Sequence, residues 1–228
     1  MLKLKCIQTG SSGNMYILNN NNKELLLELG VDYNTILLNL EDIKNVVGCA
    51  LSHFHKDHLK GKNDIKMREC GISILSHDNT EIGKKYKLGN FDIIPLPAIH
   101  NVECRSFLIK VDGNTILFAT DTSQLPKVNI KIDYFIIEVN YIEQLREQAI
   151  LQDNNNLMHL GSIYRNHHSL ESAVVYFENL DYKPKKIVTI HKSNSGLFDR
   201  KQVEKQLSQF AEEVQVANNN TEYVLEEI

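Results

Sequence analysis

Between Ala50 and Gly61 the chain reads ALSHFHKDHLKG, which sets three of its nine histidines and an aspartate within six positions. His53, His55, Asp57 and His58 repel one another if charged and cost free energy if buried without partners. A metal ion removes both problems, since imidazole and carboxylate ligate zinc, with manganese or iron as alternatives. The preceding run, VVGCALS, reads as a buried strand leading straight into the cluster. If that strand continues through His53 and His55, the two imidazoles share a face. Asp57 and His58 follow where the chain begins to turn. One strand end then offers two imidazoles to one ion and an adjacent Asp-His pair to a second.

His53-x-His55-x-Asp57-His58 resembles the signature of the metallo-β-lactamase superfamily of metallohydrolases, and the resemblance spans the whole chain. LPAIHNVE supplies His100, LFATDTSQLP supplies Asp121 and KIVTIHKSNSG supplies His191, each at the end of an apolar run. The resemblance implies that His53, His55 and His100 hold one zinc ion and that Asp57, His58 and His191 hold a second. Asp121 bridges them, and manganese is the alternative metal. It also implies an α/β (α+β) fold of four layers, an αββα sandwich of two mixed sheets with helices outside, as one domain over residues 1–228.

Within the superfamily, TGSSGN (residues 9–14) is similar to a glycine-serine turn of the branch that holds YycJ-type proteins and tRNase Z. NHHSLESA (166–173) resembles that branch's segment at the start of a helix, which makes His167, with Asp57, a candidate catalytic residue for phosphodiester cleavage. His168 has no counterpart there. The DAG turn of the family is replaced by LELG, so Glu28 is expected to orient a ligand. EVNYI and HKSNSG depart from the YycJ-like ESNHD and HLSEENN and bear on the substrate more than on the metals. His77 and His159 match no motif and are expected at the surface or in turns.

The resemblance thus implies a metal-dependent phosphodiesterase. Similarity to phage anti-Pycsar enzymes makes a small cyclic nucleotide the first expected substrate, and a nuclease acting on DNA or RNA is the alternative. A binding module of the same fold without catalysis is a third reading, disfavoured by the complete ligand set. Branch members commonly form homodimers, and EVNYIEQLREQAI offers Tyr141, Ile142 and Leu145 as a contact surface.

The elements that must position these residues read as short strands in the first half. LKLKCIQTG alternates as a first strand, and NMYIL and KELLLEL form a hairpin about an asparagine turn. DYNTILLNLEDI has helical spacing with Asp32 as its cap. GISILS, FDIIPLPAI, RSFLIKVDGNTILFAT and DYFIIEVN supply further strands, with VDGNT as a hairpin turn. From about residue 141 the pattern turns helical: YIEQLREQAIL and SLESAVVYFENL are expected as amphipathic helices, the second with Ser169 and Ser172 near its start. PKKIVTIH is a buried strand, RKQVEKQLSQFAEEV a helix, and a last strand follows NNNT.

The composition is that of an ordinary globular chain, with 228 residues, 42% of them hydrophobic and 24% charged. The N-terminus lacks a signal-like apolar region, and no stretch is apolar enough to span a bilayer. A cytoplasmic protein is expected, in the host cytoplasm if phage-encoded. Cys6, Cys49, Cys70 and Cys104 form no CxxC pair and read as reduced structural residues. The net charge of −4, with no basic stripe, disfavours a long nucleic acid as substrate.

Overall fold

The computed structural model describes residues 1–152 and 157–227. Two mixed sheets lie face to face. The first contains β1 (Leu2–Gln8), β2 (Met15–Asn20), β3 (Lys23–Leu27), β4 (Val46–Ala50), β5 (Ile74–Leu75) and β13 (Thr221–Glu226), in the order β13-β1-β2-β3-β4-β5. The second contains β6 (Tyr86–Leu88), β7 (Phe91–Pro97), β8 (Arg105–Val111), β9 (Asn114–Ala119), β10 (Tyr134–Glu138), β11 (Lys186–Ile190) and β12 (Glu213–Val216), in the order β12-β11-β10-β9-β8-β7-β6. Meander pairings are antiparallel. β3-β4-β5 and β9-β10-β11-β12 are parallel and end on the same side as the histidine cluster.

The layering follows from side-chain alternation. Tyr16 and Leu18 of β2 enter the core between the sheets, while Met15 and Ile17 face the outer layer. In β10, Tyr134 and Ile136 point inward, and Phe135 and Ile137 point toward the helices. Both faces are covered, so these strands read as unbroken apolar runs. Helices α1 (Tyr33–Asn39) and α2 (Asn63–Glu69) cover the first sheet through Ile36 and Met67. Helices α5 (Leu170–Glu178) and α6 (Arg200–Leu207) cover the second through Ala173, Phe177, Val203 and Leu207. The four layers are those of the expected αββα sandwich. No helix among the described residues is long and apolar enough to cross a membrane.

Several local expectations are corrected. Asp32 occupies the N-cap position of α1, but its carboxylate takes no helix N–H and instead lies 3.1 Å from Lys60 Nζ. The helical run from Arg200 stops at Leu207, because Glu213–Val216 pairs in parallel with β11 and Ala211 is drawn into the outer core. Helix α3 (Glu143–Gln152) buries none of its residues outright, so it is not the strongly amphipathic element its sequence suggests. Tyr141 and Ile142, expected on a dimer surface, are instead buried within the chain, Tyr141 with Leu160 and Ile163 and Ile142 in the outer core, against which Leu145 also packs. Helix α4 (Leu157–Asn166) then brings the chain to His167.

Candidate metal centre

β4 ends at Ala50, so His53 and His55 sit in the loop beyond the strand rather than on it. They converge nonetheless: His53 Nε2 lies 3.0 Å from His55 Nδ1, and His100 Nε2 lies 3.3 Å from the same atom. His100 arrives from the loop after β7, Asp121 two residues beyond β9, and His191 directly after β11. Asp121 and His191 have φ of +45° and +52°, in the left-handed region that side chains other than glycine seldom adopt. Strain of this kind persists where the surroundings over-determine it.

All seven candidate ligands fall into two groups that share Asp121: His53, His55, His100 and Asp121, and Asp57, His58, His191 and Asp121. Within each group the ligand atoms lie within 4.8 Å of one another. In the first, Asp121 Oδ2 lies 3.7 Å from His53 Nε2 and 3.6 Å from His100 Nε2. In the second, His58 Nε2 lies 3.4 Å from Asp57 Oδ2 and 3.3 Å from Asp121 Oδ1, and His191 Nε2 lies 3.4 Å from Asp57 Oδ2. Zinc with bonds of about 2.0–2.1 Å places neighbouring tetrahedral donors about 3.3–3.4 Å apart. A ring proton can bridge one such pair, but three imidazoles and a shared carboxylate converging at these distances leave further lone pairs facing one another that a cation would satisfy, so the donor set fits a pair of metal ions.

The TGSSGN turn holds the loop that carries Asp57. The Asn14 N–H donates to the Asp57 carbonyl at 2.7 Å, and its side-chain amide lies 3.2 Å from the same oxygen. Gly30 donates to the Asn14 carbonyl at 2.9 Å, and a Cβ on Gly30 would stand 1.8 Å from the Asp57 carbonyl oxygen. The glycine of LELG is therefore required by close backbone approach. Glu28 in the same motif is fully buried at φ +67° and accepts from the Ser52 N–H at 3.2 Å. Its Oε2 lies 3.4 Å from His58 Nδ1, an ion-pair distance off the line of a hydrogen bond.

Glu138, at the end of β10, is the functional neighbour that the sequence reading missed. Its fully buried carboxylate lies 2.8 Å from His191 Nδ1 and 2.6 Å from His167 Nδ1. With Nδ1 of His191 so engaged, Nε2 remains for an ion. His167 stacks beside His191 at 5.4 Å between ring centres and lies 5.6 Å from His100. The adjacent His168 turns away: its Nδ1 donates to the Ser123 carbonyl at 3.1 Å. The signal for Glu138 was a lone acid closing the otherwise apolar run YFIIE. His77 and His159 lie outside the cluster; His159 is exposed on α4, whereas the half-buried His77 packs against Phe54 at 4.4 Å.

The electrostatics separate the two groups. Burial pushes His53 down to about 2 and also lowers His100, so both keep free lone pairs. Burial also works against charge on His58 and His191, but Asp121 and the neighbouring carboxylates outweigh it, raising His58 well above its usual value and His191 to about 10. Without a metal, protons on these two imidazoles supply the positive charge that the buried carboxylates demand.

No family model matches the chain. It is 24% identical over 194 residues to the exodeoxyribonuclease WalJ of Streptococcus pneumoniae, covering 68% of this chain and 72% of that protein. The metallo-β-lactamase fold protein YhfI from Bacillus subtilis superposes with a TM-score of 0.73 at 17% identity, over 97% of this chain and 98% of YhfI. A diphosphatase from the PhnP family superposes with a TM-score of 0.68 at 15% identity, over 97% and 96% of the two chains. The chain has the metallo-β-lactamase fold.

Proposed function

We propose that this chain is a metal-dependent phosphodiester hydrolase that works as one catalytic domain over residues 1–228. The observation that carries the reading is the convergence of seven donors into two groups sharing Asp121, with a carboxylate-held imidazole beside them. His53, His55 and His100 would hold one ion, and Asp57, His58 and His191 the other, with Asp121 between; zinc suits the donors, and manganese is the alternative. Two such ions supply a nucleophile at neutral pH and neutralise the negative oxygens of a phosphate.

The remaining work falls to the chain's own residues. Glu138 takes the Nδ1–H of His167, which fixes the ring and leaves Nε2 as the atom that exchanges a proton with substrate. Burial opposes charge on His167, but Glu138 outweighs it and raises its pKa above the ordinary histidine value. Near neutral pH His167 thus holds a proton for the departing ester oxygen. Asp57, pinned through its backbone by Asn14, holds its carboxylate between His58 and His191.

For the substrate we favour a small cyclic nucleotide, because the chain carries a net charge of −4 and has no run of basic residues to follow a polymer. The second reading, a nuclease acting on DNA, is favoured by the similarity to a protein named as an exodeoxyribonuclease. The test is turnover by zinc-loaded and manganese-loaded protein of 3′,5′-cyclic nucleotides, linear DNA and RNA, with metal content measured in parallel. Hydrolysis of cyclic nucleotides that depends only weakly on salt is expected. Cleavage of DNA with a steep salt dependence and no cyclic-nucleotide turnover transfers the assignment to the second reading. Two bound metals with no diester hydrolysed at all overturns both. His167→Ala should lower kcat by roughly 10²-fold to 10⁴-fold at unchanged metal content.

A further inference from the structure

Beside His167 opens a cavity of about 860 Å³, bounded by α5, the end of α4 and the loop 123–129. This size falls within the range of small-molecule pockets. The loop wall is anchored at its start by the His168–Ser123 hydrogen bond, so the His168 side chain, which turns away from the candidate ligands, shapes the space next to them.

Tyr164 is the feature that indicates what the cavity takes. Its ring lines the cavity yet is 54% exposed, as is Val175 across from it on α5 at 57%. Large apolar side chains left open on the wall of a pocket beside a reactive centre mark a binding surface. The ring is also held in place. Glu143 Oε2 accepts from Arg146 Nε at 3.0 Å, and the Arg146 guanidinium lies over the Tyr164 ring at 4.7 Å. A cation on one face of an aromatic ring fixes its orientation and leaves the other face for a second flat group.

Tyr164 and His167 are three residues apart, and the helical hydrogen bond from the His167 N–H to the Ile163 carbonyl carries the turn through both. Side chains at this spacing are neighbours on one helix face, with Cβ atoms about 5–6 Å apart. A phosphate served by His167 therefore has a preorganised aromatic face within one helical turn. Any of the nucleobases offers a flat ring to such a face, and base–aromatic stacking needs no base-specific hydrogen bond.

We propose that this cavity is the subsite for the nucleoside part of the substrate, with Tyr164 as the ring on which the base stacks. The inference rests on the phosphodiesterase reading for the position of the phosphate, and it holds for cyclic and linear substrates alike.

The experiment uses the zinc-loaded full chain and adenosine, which has no phosphate for the metal centre. Calorimetric titration should show adenosine binding that Tyr164→Ala weakens about 5-fold to 100-fold and Tyr164→Phe retains. Tyr164→Ala should match the wild type in zinc content and in thermal unfolding, which shows that the variant is folded and loaded. Equal adenosine affinity in the wild type and Tyr164→Ala, or no adenosine binding at all, overturns the subsite while leaving the hydrolase reading intact. Tyr164-dependent adenosine binding with no diester turnover has the opposite meaning: the subsite stands and the hydrolase reading falls.

Discussion

Behind His53 and His100 stand neutral groups, whereas behind His58 and His191 stand buried carboxylates. In the first group, Ser52 Oγ lies 2.8 Å from His53 Nδ1, and the Asn166 carbonyl lies 3.1 Å from His100 Nδ1. In the second, Glu28 stands behind His58 and Glu138 behind His191, and the backbone of Asp57 is clasped by Asn14 and Gly30. A carboxylate behind an imidazole raises its basicity and fixes its ring, while a hydroxyl or carbonyl only orients it. His53 and His100 thus stay neutral, while His58 and His191 carry charge that must be balanced even when no metal is bound.

Asp121 belongs to both halves, and its replacement tests whether they are one centre. Asp121→Ala should abolish measurable turnover and lower metal content from two equivalents per chain toward one or none, read by elemental analysis. Unchanged content of two equivalents would separate the halves into independent sites. Glu138→Gln tests the asymmetry itself. It keeps the shape but removes the charge behind His191 and His167, and should cost roughly 10-fold to 100-fold in metal affinity or in activity. Ser52→Ala, its counterpart in the neutral half, should cost less. Equal losses from the two variants would break the comparison.

The seven candidate donors that converge here were legible because ligand chemistry constrains residue type and chain order together. Four of them also sit within six positions, where chance is a poor account. Of what supports them, Glu28 was legible from the LELG segment, and the rest was not. Glu138 lies 29 residues from His167 and 53 from His191, and nothing local to YFIIE says which histidines it will meet. Asn14 and Gly30 read as an ordinary turn and a strand end; their roles appear only when β2 and β3 bring them under Asp57. The helix expected to run through Phe210 and Glu213 shows the reverse failure. Its periodicity is sound, but pairing of Glu213–Val216 with β11 overrides it.

Gly30 supplies a smaller test on the carboxylate-backed side. A methyl group there meets the Asp57 carbonyl and the Asn14 N–H, both backbone atoms that cannot swing aside. Gly30→Ala should destabilise the fold by about 1–3 kcal/mol, the usual cost of overpacking. For a chain of this size that is a drop in Tm of roughly 2–4 °C per kcal/mol. The displaced Asp57 loop should also loosen the second ion. A variant with unchanged Tm and unchanged metal affinity would show that the contact yields freely.

The last expected effect is on pH dependence, and its sign differs between the two halves. In the metal-free protein His191 is raised from 6.5 to about 10. Its contribution to stability is fully present below about pH 6.5 and is lost as pH rises toward 10, because the folded state binds the proton that the unfolded chain has released. His53 is lowered from 6.5 to about 2. Its contribution is present above about pH 6.5 and fades as pH falls, because only the unfolded chain can take the proton. Between about pH 5 and 10 metal-free protein should therefore lose stability on both sides of neutrality, through His53 below about 6.5 and through His191 above it. Metal ions require neutral imidazoles, so stabilisation by zinc should grow as pH rises from about 6 and should remove the alkaline limb. Thermal unfolding followed from pH 5 to 10 with and without zinc reads both limbs. Glu138→Gln should flatten the alkaline limb of the metal-free protein and leave the fall between about pH 6.5 and 5 in place, because Glu138 bonds His191 and His167 whereas that fall comes from the burial of His53. A variant that moved the acid limb instead would show that the two halves share one electrostatic balance.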